Sequence, residues 1–319
     1  MTLVQRFRNS QSQSIKSITL LLTAFLILSV QDVIVKLISG DYAVLEIVLI
    51  RSVIALPMLL LILRRSGQHT AAVRIATQPL QFWRGLAMFS AYLFFFLALA
   101  ALPYSLMVGI FFCAPLFITA LSGPMLGETV GWRRWSAVFV GFVGVLIIIN
   151  PRGDAFDPAA LLSVTSAFFY AVSIILTRKM DDTAQVTAVW TNLVYLVAAI
   201  ILSPIFASLS FDSVHPSIEF LTSAWTMPTP RDFGLIALVA FCWGSGMVLL
   251  TAAYRDTPVA TLAPFEYFAM VYALLFGYLI WSEIPTRPMI IGVILIIGSG
   301  LFIIYRERQM DYTAPTTAP

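Results

Sequence analysis

The stretch LEIVLIRSVIALPMLLLIL, residues 45–63, decides how this chain is read. It is long and apolar enough to cross a bilayer as a helix, which takes about 20 such residues. Yet Arg51 sits inside it. A guanidinium keeps its charge in any protein setting. At bilayer depth that charge costs at least about 2.5–3.5 kcal/mol, so it faces a protein interior or a wet cavity rather than lipid. The stretch reads as a transmembrane helix with a functional cation.

The rest of the chain agrees. Of 319 residues, 60% are hydrophobic and 11% charged, whereas soluble domains carry about 25% charge. Ten segments have the length and apolarity of a span: 18–38, 43–63, 82–101, 104–126, 133–149, 159–177, 186–207, 233–253, 258–280 and 288–305. The first follows Arg6, Arg8 and Lys16 but has no small-x-small cleavage pattern, so it reads as a retained span rather than a signal peptide. The two long connections are 64–81 and 208–232. The second carries His215, Pro216, Pro228 and Pro230 and reads as a loop with a short interfacial helix.

Lysine and arginine placement orients the spans. With the N-terminus inside, one side holds Arg6, Arg8, Lys16, Arg64, Arg65, Arg74, Arg84, Arg133, Arg134, Arg178, Lys179, Arg255, Arg306 and Arg308. The other holds Lys36, Arg152, Arg231 and Arg287. Both termini are therefore expected in the cytoplasm. Cys113 and Cys242 lie in apolar runs and read as small buried hydrophobes. No phosphate-binding loop and no His/Cys cluster stands out, so ATP hydrolysis, metals and cofactors are not expected. Nothing suggests a nucleic-acid partner.

The chain repeats itself. LPYSLMVGIFFCAPLFITALSGPMLGE, residues 102–128, and TPVATLAPFEYFAMVYALLFGYLIWSE, residues 257–283, share one register, with Pro103 against Pro258 and Glu128 against Glu283. Each is followed by a glycine-bearing last span: Gly141 and Gly144 in one, Gly292, Gly298 and Gly300 in the other. Five spans per half invert the second half relative to the first. Inverted repeats around a midplane site are a common basis of alternating access.

The intramembrane charges point to that site. At about 1.5 Å per residue, Arg51 lies about 12 Å and Asp32 about 9 Å below the outer surface, which predicts a pair. Lys36, one turn after Asp32, is expected to compete for its carboxylate or to snorkel. Glu46 is expected near the outer edge. Glu266 lies roughly 9–12 Å from the inner end of its span. Pro264 before it removes a backbone hydrogen bond and frees a carbonyl. Glu128 and Glu283 read as helix-end residues that fix a turn. Gly141, Gly144, Gly298 and Gly300 read as close-packing positions. Tyr170, Trp243 and Tyr267, with Trp190 and Asn192, carry polar tips that want partners when buried. They are expected to line a cavity in which a planar or cationic ligand stacks.

This pattern resembles the drug/metabolite transporter superfamily, specifically its EamA family. The residues that carry the resemblance are QDVIVK (31–36), LEIVLIR (45–51), Trp83-Arg84-Gly85, Pro115, Glu128, and APFEY (263–267) with SEIP (282–285). The likeness covers nearly the whole chain and is strongest to the branch of S-adenosylmethionine and riboflavin uptake carriers. It departs from the S-adenosylmethionine pattern at Glu266, where that pattern has a basic residue.

The resulting expectation is an all-α membrane protein of ten transmembrane helices in two inverted five-helix repeats. Its parts are an N-tail (1–16), repeats at 17–150 and 158–305, and a polar C-tail (306–319). It is expected to be a secondary carrier in a bacterial inner membrane that takes up a small organic metabolite without covalent chemistry. The substrate-binding residues expected are Arg51, Glu266, Tyr267, Asp32, Arg84, Trp243, Tyr170 and Asn192. Proton coupling through Asp32 or Glu266 and a homodimer stay open. The rivals are an exporter of amino acids or drugs with the same fold, an intramembrane enzyme, and a scaffold. The enzyme is disfavoured because the only histidines, His69 and His215, sit in loops on opposite sides.

Overall fold

A computed structural model of the protein describes residues 3–67, 79–127, 130–150, 156–180, 182–209, 215–256, 262 and 265–313. Every regular element among them is a helix: α1 (Leu3–Ile38), α2 (Val44–Arg65), α3 (Pro79–Ala101), α4 (Tyr104–Phe111), α5 (Ala114–Leu126), α6 (Trp132–Ile149), α7 (Ala159–Thr177), α8 (Ala184–Ala207), α9 (Pro216–Thr222), α10 (Pro230–Asp256), α11 (Phe268–Trp281) and α12 (Arg287–Thr313). Among the described residues nine stretches are long and apolar enough to span a membrane, α4 and α5 together forming one of them. The shorter apolar helix α11 accounts for the tenth.

Packing follows the repeat. In the first half α1, α2, α3, α4–α5 and α6 are successive spans; in the second α7, α8, α10, α11 and α12 are their counterparts. α1 packs along α10, and α3 along α7. α2 also meets α10, while α3 meets α8. α2 packs on α8, and α6 on α12. Exchanging the halves maps each of these contacts onto another or onto itself, as a two-fold relation requires.

Two details of the repeat reach the backbone. Gly127 (φ 74°) and Ser282 (φ 54°), matched in the sequence alignment, both adopt the left-handed conformation that stops a helix. The expected continuous fourth span is broken between α4 and α5 at Phe112 and Cys113. Pro115 has no N–H to return to the carbonyl four residues back, so the ladder is interrupted there. The matching turn in the second half lies at Tyr267, before α11. The two breaks meet, with the Phe112 and Tyr267 rings 5.3 Å apart.

Without a hydrophobic drive between helices in lipid, small residues and interhelical hydrogen bonds hold the bundle. Gly144 and Gly292 bring α6 and α12 into backbone contact: a Cβ on Gly144 would lie 2.8 Å from the Gly292 carbonyl oxygen. Gly298 differs from the expectation, since a Cβ there meets nothing within 4 Å. Ser163 Oγ donates to Met107 O (2.9 Å) and Ser166 Oγ to Ala91 O (2.7 Å), tying α7 to α4 and α3. Such bonds contribute about 0.6 kcal/mol each in a membrane bundle.

Some boundaries differ from expectation. α1 begins at Leu3, inside the expected N-tail, and α12 continues to Thr313, inside the expected C-tail. Polar residues extend a helix beyond the hydrocarbon because its backbone bonds are internal, and hydropathy cannot register that. The expected interfacial helix is α9, whose Ser217 Oγ donates to Leu97 O (2.7 Å) at the end of α3. Cys113 and Cys242 are free and buried, as expected. Glu128, Pro264, His69 and Arg152 lie outside the described residues.

Candidate functional site

Arg51 is fully buried, at 0% exposure. Its guanidinium carbon lies over three rings: Tyr92 of α3 at 4.6 Å, Trp243 of α10 at 4.8 Å and Tyr195 of α8 at 5.2 Å. This cage explains how α2 keeps a cation at depth, since each ring face attracts it, most strongly where water is excluded. Ring faces do not accept N–H bonds in the guanidinium plane, however. Nε, Nη1 and Nη2 of Arg51 have no hydrogen-bond partner among the described residues.

Other unpartnered polar atoms adjoin the cage. Asn192, fully buried on α8, donates Nδ2 to Ser52 O on α2 (2.9 Å). That bond fixes the amide orientation and leaves Asn192 Oδ1 open. Ser52 Oγ and Tyr92 Oη are open as well. Buried polar groups are almost always paired in native structures, so these open atoms make Arg51 and its neighbours the candidate ligand site.

A run of rings leads away from the cage. Tyr195 meets Tyr92 (5.3 Å between centroids), and Tyr92 meets Phe96 (4.4 Å). The run continues through Phe95 (5.2 Å) and Phe111 (5.2 Å) to Tyr170 (5.4 Å). At its far end Glu266 lies within electrostatic reach of the Tyr170 and Tyr267 hydroxyls. Tyr267 Oη is buried without a hydrogen-bond partner among the described residues and faces Gly300, where any side chain would collide with it.

The expected residues thus divide. Arg51 and Trp243 meet at the cage, with Asn192 bonded to the backbone of Ser52, the residue after Arg51, and Glu266, Tyr267 and Tyr170 converge at the other end of the ring run. Asp32 does not pair with Arg51, although it lies within electrostatic reach of Tyr92, one of the cage rings. Its carboxylate accepts from Tyr104 Oη (3.4 Å) and Gln31 Nε2 (3.4 Å), not from Arg51. Similar depth was the only basis for that pair, and depth says nothing about facing. Arg84 is also elsewhere. Its donors are taken by Gln81 Oε1 (2.7 Å), Thr187 O (3.2 Å) and Thr191 Oγ1, which pins the start of α3 to α8. Gly85 beside it brings α8 close, since a Cβ there would touch Val194. Trp190 packs with the small apolar group around Leu59 and Val189.

The ends of α1 and α3 and the start of α4 carry further ties between helices. Lys36 does not reach for Asp32. Its Nζ donates to Leu99 O (2.8 Å) and to Leu102 O, the carbonyls that end α3, and lies 5.4 Å from the Trp281 ring centroid. A cation suits a helix C-terminus. Glu283, expected to fix a turn, caps a different helix. It accepts from the backbone N–H groups of Tyr104 (2.7 Å) and Ser105 (2.9 Å) and from Ser105 Oγ (2.7 Å) at the start of α4. Glu46 lies in the first turn of α2, near the edge as expected, and is buried there at 1% exposure, and Tyr42 Oη donates to Asp232 (2.7 Å), joining the two halves.

Tyr92, Tyr195 and Ser52 were missed by sequence reading. Tyr92 stands in YLFFF and Tyr195 in NLVYLV, where nothing separates a lining ring from a lipid-facing one.

Apolar helices of spanning length in two matched halves define a multi-pass membrane protein. The match to known proteins narrows the class: a profile of the EamA-like transporter family fits residues 15–150 and again 157–305, so the chain belongs to that family. The "S-adenosylmethionine uptake transporter" of Rickettsia bellii is 28% identical over 226 residues, 71% of this chain and 72% of that one. The "Riboflavin transporter" of Vibrio cholerae is 28% identical over 251 residues, 75% and 77% of the two chains. That of Rhizobium johnstonii is 28% identical over 215 residues, 67% and 66%. A solved crystal structure superposes with a TM-score of 0.61 at 17% identity, covering 92% of this chain and 99% of the other, and shares the fold.

Proposed function

We propose that the protein is a secondary active carrier that brings a riboflavin- or S-adenosylmethionine-like metabolite into the bacterial cell across the inner membrane, both termini lying in the cytoplasm. The observation that carries this reading is the Arg51 guanidinium, fully buried and caged by rings yet without a hydrogen-bond partner among the described residues. A polar end of the substrate binds there. Its planar part follows the aromatic run, and Glu266 with Tyr170 and Tyr267 receives the other end. Asp32 and Glu266, ionisable at depth, are the groups through which a proton gradient drives transport. The names of the relatives, an S-adenosylmethionine uptake transporter and a riboflavin transporter, support transport of a ring-bearing metabolite, the first of them uptake.

The test is solute uptake into proteoliposomes holding wild type, Arg51→Ala or Glu266→Gln. The expected result is transport by the wild type and its loss in both variants. Normal transport by both variants would remove the site assignment. An exporter of the same fold instead fails to support growth of a riboflavin or S-adenosylmethionine auxotroph on the external compound.

A further inference from the structure

Two of the three rings that cage Arg51 are tyrosines, and their hydroxyls are used differently. Tyr195 Oη of α8 donates to Met88 O of α3 (2.9 Å), so it ties two helices together. Tyr92 Oη of α3 is buried and has no hydrogen-bond partner among the described residues. Asp32 lies within electrostatic reach of it, but the Asp32 carboxylate is bonded to Tyr104 and Gln31. A phenylalanine at 92 would offer Arg51 a comparable ring face and would keep the contacts with Tyr195 and Phe96. The hydroxyl therefore adds nothing to the cage, while leaving it buried and unpaired costs stability.

The place of that hydroxyl is fixed by its ring. The ring centroid is 4.6 Å from the Arg51 guanidinium carbon, and Oη stands on the rim of the same ring. One ligand group is thus within reach of both. The guanidinium offers donors alone, and the tyrosine O–H is a donor too. A group that presents acceptor oxygen satisfies both.

Resting on the carrier reading above, we propose that Tyr92 is a substrate-contacting residue. Its O–H and the Arg51 guanidinium donate to one acceptor-oxygen group of the substrate, whereas the Tyr195 hydroxyl holds the helices around it. That group is a carboxylate in S-adenosylmethionine and a ring carbonyl in riboflavin; the chemistry at Tyr92 is the same.

Equilibrium binding of riboflavin and of S-adenosylmethionine to detergent-solubilised, full-length protein tests this, with the unfolding midpoint read on the same preparations. The probe that the wild type binds tells carbonyl from carboxylate. For that probe Tyr92→Phe is expected to weaken affinity about tenfold, the effect of one lost hydrogen bond in a dry site. Its unfolding midpoint is expected at or above the wild-type value. Tyr195→Phe is expected to rank the other way, with a lower midpoint and the smaller loss of affinity. Unchanged affinity in Tyr92→Phe overturns the assignment and leaves the carrier reading standing. So does a lowered midpoint in Tyr92→Phe, because the hydroxyl would then be a structural tie. Failure of the wild type to move either probe into proteoliposomes removes the carrier reading itself, and the Tyr92 assignment with it.

Discussion

Replacing Arg51 by methionine separates a functional arginine from a structural one. In the folded protein Arg51 gains from three ring faces at 4.6, 4.8 and 5.2 Å. Desolvated cation–π contacts contribute up to about 2 kcal/mol each. Against this stand three nitrogens without partners, each unpaired buried donor costing about 1–3 kcal/mol. The two sums are of similar size and opposite sign. Methionine is shorter, but it replaces the apolar stem, brings no unpaired donors and keeps favourable sulfur–ring contacts of about 0.3–1.5 kcal/mol. Arg51→Met is therefore expected to leave the midpoint of thermal unfolding in detergent near the wild-type value, or to raise it. Substrate binding is expected to fall steeply. Two lost hydrogen bonds to a charged donor amount to about 3–6 kcal/mol, two to four orders of magnitude in Kd. The assay pairs fluorescence-monitored unfolding with equilibrium binding of the transported solute on the same preparation. A variant that fails to fold would refute the reasoning, because Arg51 would then be a structural tie. A folded variant with unchanged affinity would refute it equally.

Three further outcomes follow from the packing. Glu283→Ala removes the carboxylate that accepts from Tyr104 N, Ser105 N and Ser105 Oγ and is expected to destabilise by about 1–3 kcal/mol, read as a lower unfolding midpoint, with Glu283→Gln losing less. Gly292→Ala places a methyl 2.5 Å from the Gly144 carbonyl oxygen, a backbone atom that cannot turn aside; a loss of about 1–3 kcal/mol is expected in the same measurement. Ser282→Gly relieves a left-handed residue at φ 54° and is expected to stabilise by about 0.5–1 kcal/mol, the net of strain removed and chain entropy added.

Much of this architecture was legible in the chain. Long apolar runs gave the spans, and the shared register of 102–128 and 257–283 gave the repeat, because a duplicated fold keeps its turn residues. Arg51 was legible because a cation in an apolar run has few explanations. What surrounds it was not. Tyr92 and Tyr195 are rings among many rings, and only the angular packing of α3 and α8 turns them inward. Asp32 and Arg84 show the converse. Both are charges at plausible positions, but Asp32 spends its carboxylate on Tyr104 and Arg84 its donors on Gln81 and Thr191. Sequence gives the depth of a residue along a helix; the azimuth comes from interhelical packing. The α4–α5 break was half visible: Pro115 announces it, but whether neighbours absorb such a proline is a tertiary matter.

Glu283 caps the start of α4, yet it is made long after α4. While the ribosome works through the second half, the amides of Tyr104 and Ser105 wait without this acceptor. The first half is therefore a provisional object during synthesis, completed only when a carboxylate from near the end of the polypeptide arrives. A chain cut short before that residue would present an unfinished helix start to the membrane's quality-control proteases, so an interrupted product should be cleared rather than accumulate as a half-carrier.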